Sequence, residues 1–148
     1  MIKEIITESP KETFIVGEKV ATFLQGGETI LLTGDLGAGK TMFAKGVASG
    51  LGVDPLTPVV SPTFTLINLY KARIDIVHAD LYRLETEGIF GLGIEEYMDN
   101  SHVVMVEWAD ISEGYFKGNL LRIKIEYLEE GRRKIILGGD IIKEENWR

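Results

Sequence analysis

The residues best equipped for chemistry run from Gly34 to Thr41 and read Gly-Asp-Leu-Gly-Ala-Gly-Lys-Thr, a match to Gly-x-x-x-x-Gly-Lys-[Ser/Thr]. Each fixed position has a physical reason. The glycines let the backbone curl so that its N–H groups converge on phosphate oxygens. A helix that starts at the Lys adds its positive N-terminal end. The lysine, Lys40, reaches the β- and γ-phosphates, and the Thr41 hydroxyl faces Mg²⁺. The sequence therefore predicts a phosphate-binding loop for a nucleoside triphosphate, with Asp35, Leu36, Gly37, Ala38, Gly39, Lys40, Thr41 and Met42 lining the nucleotide. Such a loop needs an acid near the metal, and two stand at the carboxyl ends of apolar runs. Asp80 ends Ile74-Asp75-Ile76-Val77-His78-Ala79-Asp80, and Glu107 ends His102-Val103-Val104-Met105-Val106-Glu107. Ligands in α/β sheets gather at such strand ends. One carboxylate would hold Mg²⁺, directly or through water, and the other would orient the attacking water; the sequence leaves the division open.

Ser61-Pro62-Thr63 lies between the loop's helix and the next strand, where P-loop switches place a γ-phosphate sensor. Thr63 is the candidate. His78 reads as a packed strand histidine, His102 as structural or exposed, and Arg83 as a partner for a phosphate or a carboxylate. The class of nucleotide follows by exclusion. No Asn-Lys-x-Asp run occurs to read guanine, and Arg83 stands where a GTPase has the Gly of Asp-x-x-Gly. Adenine is then the default base. A self-contained P-loop kinase acting on a small metabolite is the alternative, weakened because no Arg-rich lid follows: after Arg83 the next arginine is Arg122.

The elements that must position these groups are legible in outline. Ile2, Ile5 and Ile6 suggest a first strand. Ser9-Pro10-Lys11-Glu12 reads as a helix start, with Ser9 as N-cap and Glu12 closing a capping box. Val16, Val20, Phe23 and Leu24 recur at helical spacing up to Gly26-Gly27. Thr29 to Thr33 is a buried strand, and the helix after the loop carries Phe43, Val47 and Leu51 and stops at Gly52. Pro55, Pro58 and Pro62 make residues 54–63 irregular. Phe64 to Tyr70 and Ile74 to Asp80 read as strands joined near Ala72, and Ile94 to Met98 as a short helix. His102 to Glu107 is another buried strand. Leu121, Ile123, Ile125 and Tyr127 alternate with polar residues, and Glu130-Gly131 turns into a partner strand ending near Leu137. The last residues suggest a short helix. The expected architecture is α/β, a P-loop NTPase fold in one domain over 1–148, with a mixed, mainly parallel sheet, flanking helices and antiparallel hairpins.

The bulk numbers fit this. The 148 residues suit one core; 16 basic against 23 acidic side chains give net −7, which argues against free-standing nucleic-acid binding. There is no cysteine, so thiolate metal sites and disulfides are excluded. No apolar run approaches membrane-span length and the first residues lack a signal-peptide pattern, so a cytoplasmic protein is expected.

Taken in series, Gly34 to Thr41, then Ser61-Pro62-Thr63-Phe64, His78-Ala79-Asp80-Leu81-Tyr82-Arg83 and Val106-Glu107-Trp108-Ala109-Asp110 resemble the TsaE (YjeE) family in order and spacing. The resemblance covers about Ile30 to Asp110. It implies a cytoplasmic ATPase serving threonylcarbamoyladenosine modification of tRNA, using ATP and Mg²⁺. It also implies two larger partners of the TsaB and TsaD type, through which tRNA is met only indirectly. Lys40 and Thr41 carry over for phosphate and metal, Thr63 for a switch over residues 55–65, Asp80 and Glu107 for metal and hydrolysis, and Trp108 as a residue beside the site.

Overall fold

The computed structural model describes residues 2–35, 37–62, 67–81, 93–107, 116, 118–143 and 145. Its strands are β1 (Ile2–Thr7), β2 (Thr29–Thr33), β3 (Ile67–Tyr70), β4 (Asp75–Asp80), β5 (His102–Glu107), β6 (Leu120–Tyr127) and β7 (Arg133–Gly138). Its helices are α1 (Pro10–Ala21) and α2 (Lys40–Leu51), with a short 3-10 turn at Ile94–Tyr97. The strands form one sheet in the order β1-β7-β6-β2-β5-β4-β3. The centre, β6-β2-β5-β4, is parallel. Antiparallel strands extend it on both sides: β7 and β1 beyond β6, and β3 beyond β4. The α/β expectation holds, with the P-loop strand β2 in the middle. The C-terminal hairpin is no added edge. Its first strand, β6, pairs directly with β2.

Period-2 alternation sorts the central strands onto two faces. Ile30, Leu32, Ile76, Val103 and Met105 pack with Val16, Val20, Phe43, Val47 and Leu51 of the two helices. Leu31, Val77, Ala79, Val104 and Val106 form the second cluster, with Ile94 and Phe116.

Helix α1 starts as its sequence requires. Ser9 is extended at φ −156° and its hydroxyl accepts the Glu12 N–H at 3.2 Å. The Glu12 carboxylate accepts the Glu8 N–H at 3.1 Å, so the capping box closes one residue early. The helix ends at Ala21, short of the expected Gly26-Gly27 stop, where the N–H groups of Thr22, Phe23 and Leu24 turn to the carbonyls three residues back, a tightened last turn in which the Thr22 hydroxyl also meets the Lys19 carbonyl at 2.6 Å. Leu24 is buried all the same, from the turn rather than from the helix. Of the strand expected over residues 64–70, the described part is β3; the expected C-terminal helix lies largely outside the described residues.

The helices meet backbone to backbone. A Cβ on Gly46 would stand 2.0 Å from the Phe14 carbonyl oxygen, and one on Gly17 2.4 Å from that of Phe43. Their far ends are tied as well: the Arg73 N–H donates to the Leu51 carbonyl at 2.8 Å, and its guanidinium to that of Ala21 at 3.4 Å. Cations suit helix C-termini. This packing fixes α2, and so fixes Lys40 and Thr41 at its start. Gly46→Ala tests it. Helix propensity alone would favour alanine by about 1 kcal/mol, but the backbone clash is worth about 2 kcal/mol or more the other way. Urea unfolding should show a net loss of stability; a gain would mean that the helices separate without cost.

Candidate active site

The C-terminal ends of β2, β4 and β5 lie side by side, because parallel pairing sets Leu32 against Glu107 and Glu107 against Asp80. Registered neighbours point to one face of the sheet. That face carries α2, so Glu107, Asp80 and, two residues before it, His78 all project beneath the start of the helix. The loop joining β2 to α2 curls as predicted. Gly39 caps α2 at φ 109°, a left-handed conformation that disfavours any side chain. A Cβ on Gly34 would lie 2.5 Å from the Ile125 carbonyl oxygen of β6, so this end of the loop lies flat on the sheet.

Lys40 is buried, and its Nζ donates to the Gly34 carbonyl at 2.6 Å, across the mouth of the loop. The Thr41 hydroxyl lies 2.9 Å from Ser61 Oγ. Ser61 Oγ in turn donates to Glu107, at 2.8 Å to Oε2 and 3.2 Å to Oε1. An ionised carboxylate only accepts, so the single Ser61 proton goes to Glu107 and the Thr41 proton to Ser61. The lone pairs of Thr41 Oγ1 are thereby left for another partner. His78 completes the cluster, with Nε2 3.0 Å from Glu107 Oε2. Both side chains are essentially inaccessible, at 0% and 2% exposure.

Burial would raise the Glu107 carboxyl. The hydrogen bonds from His78 and Ser61 and the charge of the Lys40 ammonium outweigh it and hold the group below its ordinary value of 4.5. Glu107 is therefore ionised at neutral pH. Asp80 is also buried, at 6% exposure.

The segment that brings Ser61 here is anchored from behind. The Tyr70 hydroxyl of β3 accepts the Val60 N–H at 3.3 Å, and Asn68 Nδ2 donates to the Val60 carbonyl at 3.2 Å. On the opposite flank Arg133, the first residue of β7, reaches under the loop. Its Nε donates to the Ala38 carbonyl at 2.8 Å and its Nη2 to Gly37 at 3.2 Å, while its guanidinium lies 4.4 Å from the Tyr127 ring centroid. Two carbonyls held by one rigid fork fix the loop's outward side.

Gly37, Ala38, Gly39, Lys40, Thr41, Asp80 and Glu107 thus assemble where the sequence predicts, with Asp35 at the loop's start and Met42 in the first turn of α2. Leu36, Thr63, Arg83 and Trp108 lie outside the described residues. Three residues were missed. Ser61 was not singled out, although it belongs to the same triplet as Thr63. His78 was read as packing, and it is packed, yet it also bonds Glu107. Its period-2 spacing from Asp80 was the available signal. Arg133 gave none, since only tertiary pairing brings β7 to the loop. His102, expected to be structural or exposed, starts β5 with its Nδ1 2.7 Å from the Asp99 carboxylate.

Two outcomes follow for the free protein. The Glu107 carboxyl is depressed on folding, so its contribution to stability is present above the unfolded value and lost as pH falls through the folded one. The stability gap between wild type and Glu107→Gln, from urea melts, should therefore narrow below pH 4.5; a gap that does not change with pH would contradict the network. Arg133→Ala should speed hydrogen exchange at the Gly37, Ala38 and Gly39 amides by about tenfold, the loss of roughly one net charge-assisted hydrogen bond. Unchanged exchange would mean that the loop holds its curl alone.

A family model described as threonylcarbamoyl adenosine biosynthesis protein TsaE matches residues 7–135. The protein of Bacillus subtilis named tRNA threonylcarbamoyladenosine biosynthesis protein TsaE is 40% identical over 130 residues, covering 87% of this chain and 80% of that protein. The protein of that name from Aquifex aeolicus is 37% identical over 136 residues, covering 91% and 95%. Among solved structures, the crystal structure of Bacillus subtilis YdiB superposes with a TM-score of 0.77 at 35% identity, covering 93% of this chain and 86% of that one. The similarity extends well past the phosphate loop, through both helices and into β7, and on that ground the chain belongs to the TsaE family.

Proposed function

We propose that this chain binds ATP with Mg²⁺, hydrolyses it, and uses its nucleotide state to switch an assembly that makes threonylcarbamoyladenosine in tRNA. The hydrogen-bond chain Thr41–Ser61–Glu107 carries this reading. It links a phosphate-loop hydroxyl, an irregular segment and a buried carboxylate through one serine.

The donor set suits the cation. Mg²⁺ takes hard oxygen ligands and keeps several waters, so it draws on few protein groups beside the phosphates. Thr41 Oγ1, with lone pairs to spare, and Asp80 or Glu107 would supply them. Among the described residues no group of three or more His, Cys, Asp or Glu side chains forms an all-protein cage, and a phosphate-borne cation needs none. Bound Mg²⁺ would neutralise charge on the β- and γ-phosphates. Lys40 would exchange the Gly34 carbonyl for phosphate oxygens. The amides at the start of α2, which have no acceptor within the helix, would face the same oxygens. With Asp80 on the metal, Glu107, ionised and desolvated, would orient the attacking water.

Switching follows from where Ser61 sits. Any shift of the Thr41 hydroxyl towards a cation, or of Glu107 towards a water, pulls on Ser61. Ser61 belongs to residues 54–62, an irregular segment whose Leu56 is 90% exposed. A partner that touches this segment would sense the nucleotide. Partners of the TsaB and TsaD type, with tRNA met through them, fit the family and the acidic charge of −7. Among the described residues no helix is long and apolar enough to cross a membrane.

Phosphate release from ATP and from GTP, measured with the chain alone and with purified TsaB and TsaD type proteins, tests the proposal. ATP-selective release that the partners stimulate and that Lys40→Ala abolishes is the expected result. Phosphate appearing on an added metabolite instead would favour the kinase alternative. Ser61→Ala should leave affinity for Mg²⁺-ATP within about threefold while lowering partner stimulation about tenfold, the share of one charge-assisted hydrogen bond. Full stimulation without the Ser61 hydroxyl would remove it from the switch.

A further inference from the structure

Residue His78 is left over when the proposed chemistry has been assigned. It lies within β4 rather than at its end and is fully buried. One ring nitrogen, Nε2, meets Glu107 Oε2 at 3.0 Å. The other, Nδ1, is buried and has no hydrogen-bond partner among the described residues. A histidine kept only for packing is hard to reconcile with this. A hydrocarbon side chain of similar volume would fill the space without stranding a nitrogen. Nδ1 therefore counts as a cost of burial, and what offsets it is at Nε2.

Hydrogen-bond counting fixes the direction. The Glu107 carboxylate can only accept, so Nε2 carries the proton and donates. Nδ1 is then left with a lone pair, which proteins tolerate when buried better than an orphaned N–H. The two carboxylate oxygens become inequivalent. Oε2 takes the shorter bonds, from Ser61 at 2.8 Å and His78 at 3.0 Å, whereas among the described residues Oε1 has a 3.2 Å contact from Ser61. Ser61 belongs to an irregular segment and His78 to the middle of a paired strand, so His78 is the firmer of the two anchors.

We propose that His78 is a positioning residue for hydrolysis: its Nε2–H clamps Glu107 Oε2 from the sheet, holding the carboxylate in one orientation with Oε1 turned to the reacting water, whether or not Ser61 stays bonded. This rests on reading Glu107 as the group that orients that water. Histidine, rather than lysine or arginine, suits the position because it donates one directed bond without adding a fixed charge beneath the Mg²⁺ and Lys40.

The test uses the full chain with three variants. His78→Leu stays close to the volume and removes the donor, as does the slightly larger His78→Phe; His78→Gln restores an amide N–H near the position of Nε2. ATP turnover should fall about 10- to 100-fold in His78→Leu and His78→Phe, the scale of a lost orienting partner. Affinity for N-methylanthraniloyl-ATP with Mg²⁺ should stay within about threefold, and His78→Gln should recover most of the lost rate. Equal turnover in wild type and all three variants would overturn the proposal, as would equal loss in all three variants. A readout independent of activity separates this from failure of the ATPase reading. The chain has only two histidines, so ring-nitrogen NMR resolves them. His78 should show the Nε2–H tautomer, with a resonance that moves in Glu107→Ala while that of His102 does not. An Nδ1–H tautomer, or indifference to Glu107→Ala, would refute the clamp even in a fully active protein. A correct tautomer beside absent hydrolysis would overturn the role in hydrolysis and the ATPase reading, and leave only the bond.

Discussion

A carboxylate taken out of water must be compensated where it lies, and that requirement at Glu107 organises this site. An ionised group with 2% exposure would be untenable without partners. Its partners come from separate parts of the fold: His78 from β4, Ser61 from the 54–62 segment, and through Ser61 the Thr41 hydroxyl of α2. The Lys40 ammonium adds a favourable charge. His78 and Thr41 are each fixed by an element whose packing has nothing to do with phosphate, whereas Ser61, among the described residues, is held by hydrogen bonds alone. The compensation of one charge thus becomes a coupling between sheet, helix and loop.

The same arrangement explains how a small domain could report nucleotide state. The sheet side of Glu107 is rigid, since β4 and β5 are paired along their lengths and buried on both faces. The loop side is not built that way. Ser61 is held by side-chain hydrogen bonds and by the Tyr70 and Asn68 anchors at Val60, with no ladder of its own. Among the described residues, a perturbation at the phosphate loop would therefore be taken up most easily by this segment. Coupling of this kind needs two discrete arrangements of a local element rather than deformation of a core.

The C-terminal hairpin shows why topology matters to the site. By sequence its strands read as an addition to a core that ends with β5. In the fold β6 lies against β2, and β7 delivers Arg133 to the carbonyls of Gly37 and Ala38. The loop is held from the inside by Lys40 and from the outside by Arg133, so its curl is supported before any ligand arrives. Preorganisation of this sort reduces what ordering the loop costs on binding.

Local chemistry was legible in the sequence. The phosphate loop, the Ser9 cap and the alternation of β6 each follow from backbone geometry or from period within a few residues, and the two strand-end acids follow from where apolar runs stop. Their identities alone determined the α/β class and named Lys40, Thr41, Asp80 and Glu107. What required the tertiary structure was everything that depends on register and crossing. Seeing that Ser61 bridges Thr41 and Glu107 needed the path of an irregular segment, which proline spacing does not give. Helix α1 ended in a tightened turn at Thr22 to Leu24, ahead of the Gly pair, a boundary that the pattern of apolar residues does not mark. Arg133 reached the loop because β7 pairs with β6 and β6 with β2, a long-range order that no local pattern encodes. His78 carried a signal, two residues from Asp80 on the same face, but its contact became visible only when parallel pairing set β4 beside β5 and put an imidazole against a buried carboxylate.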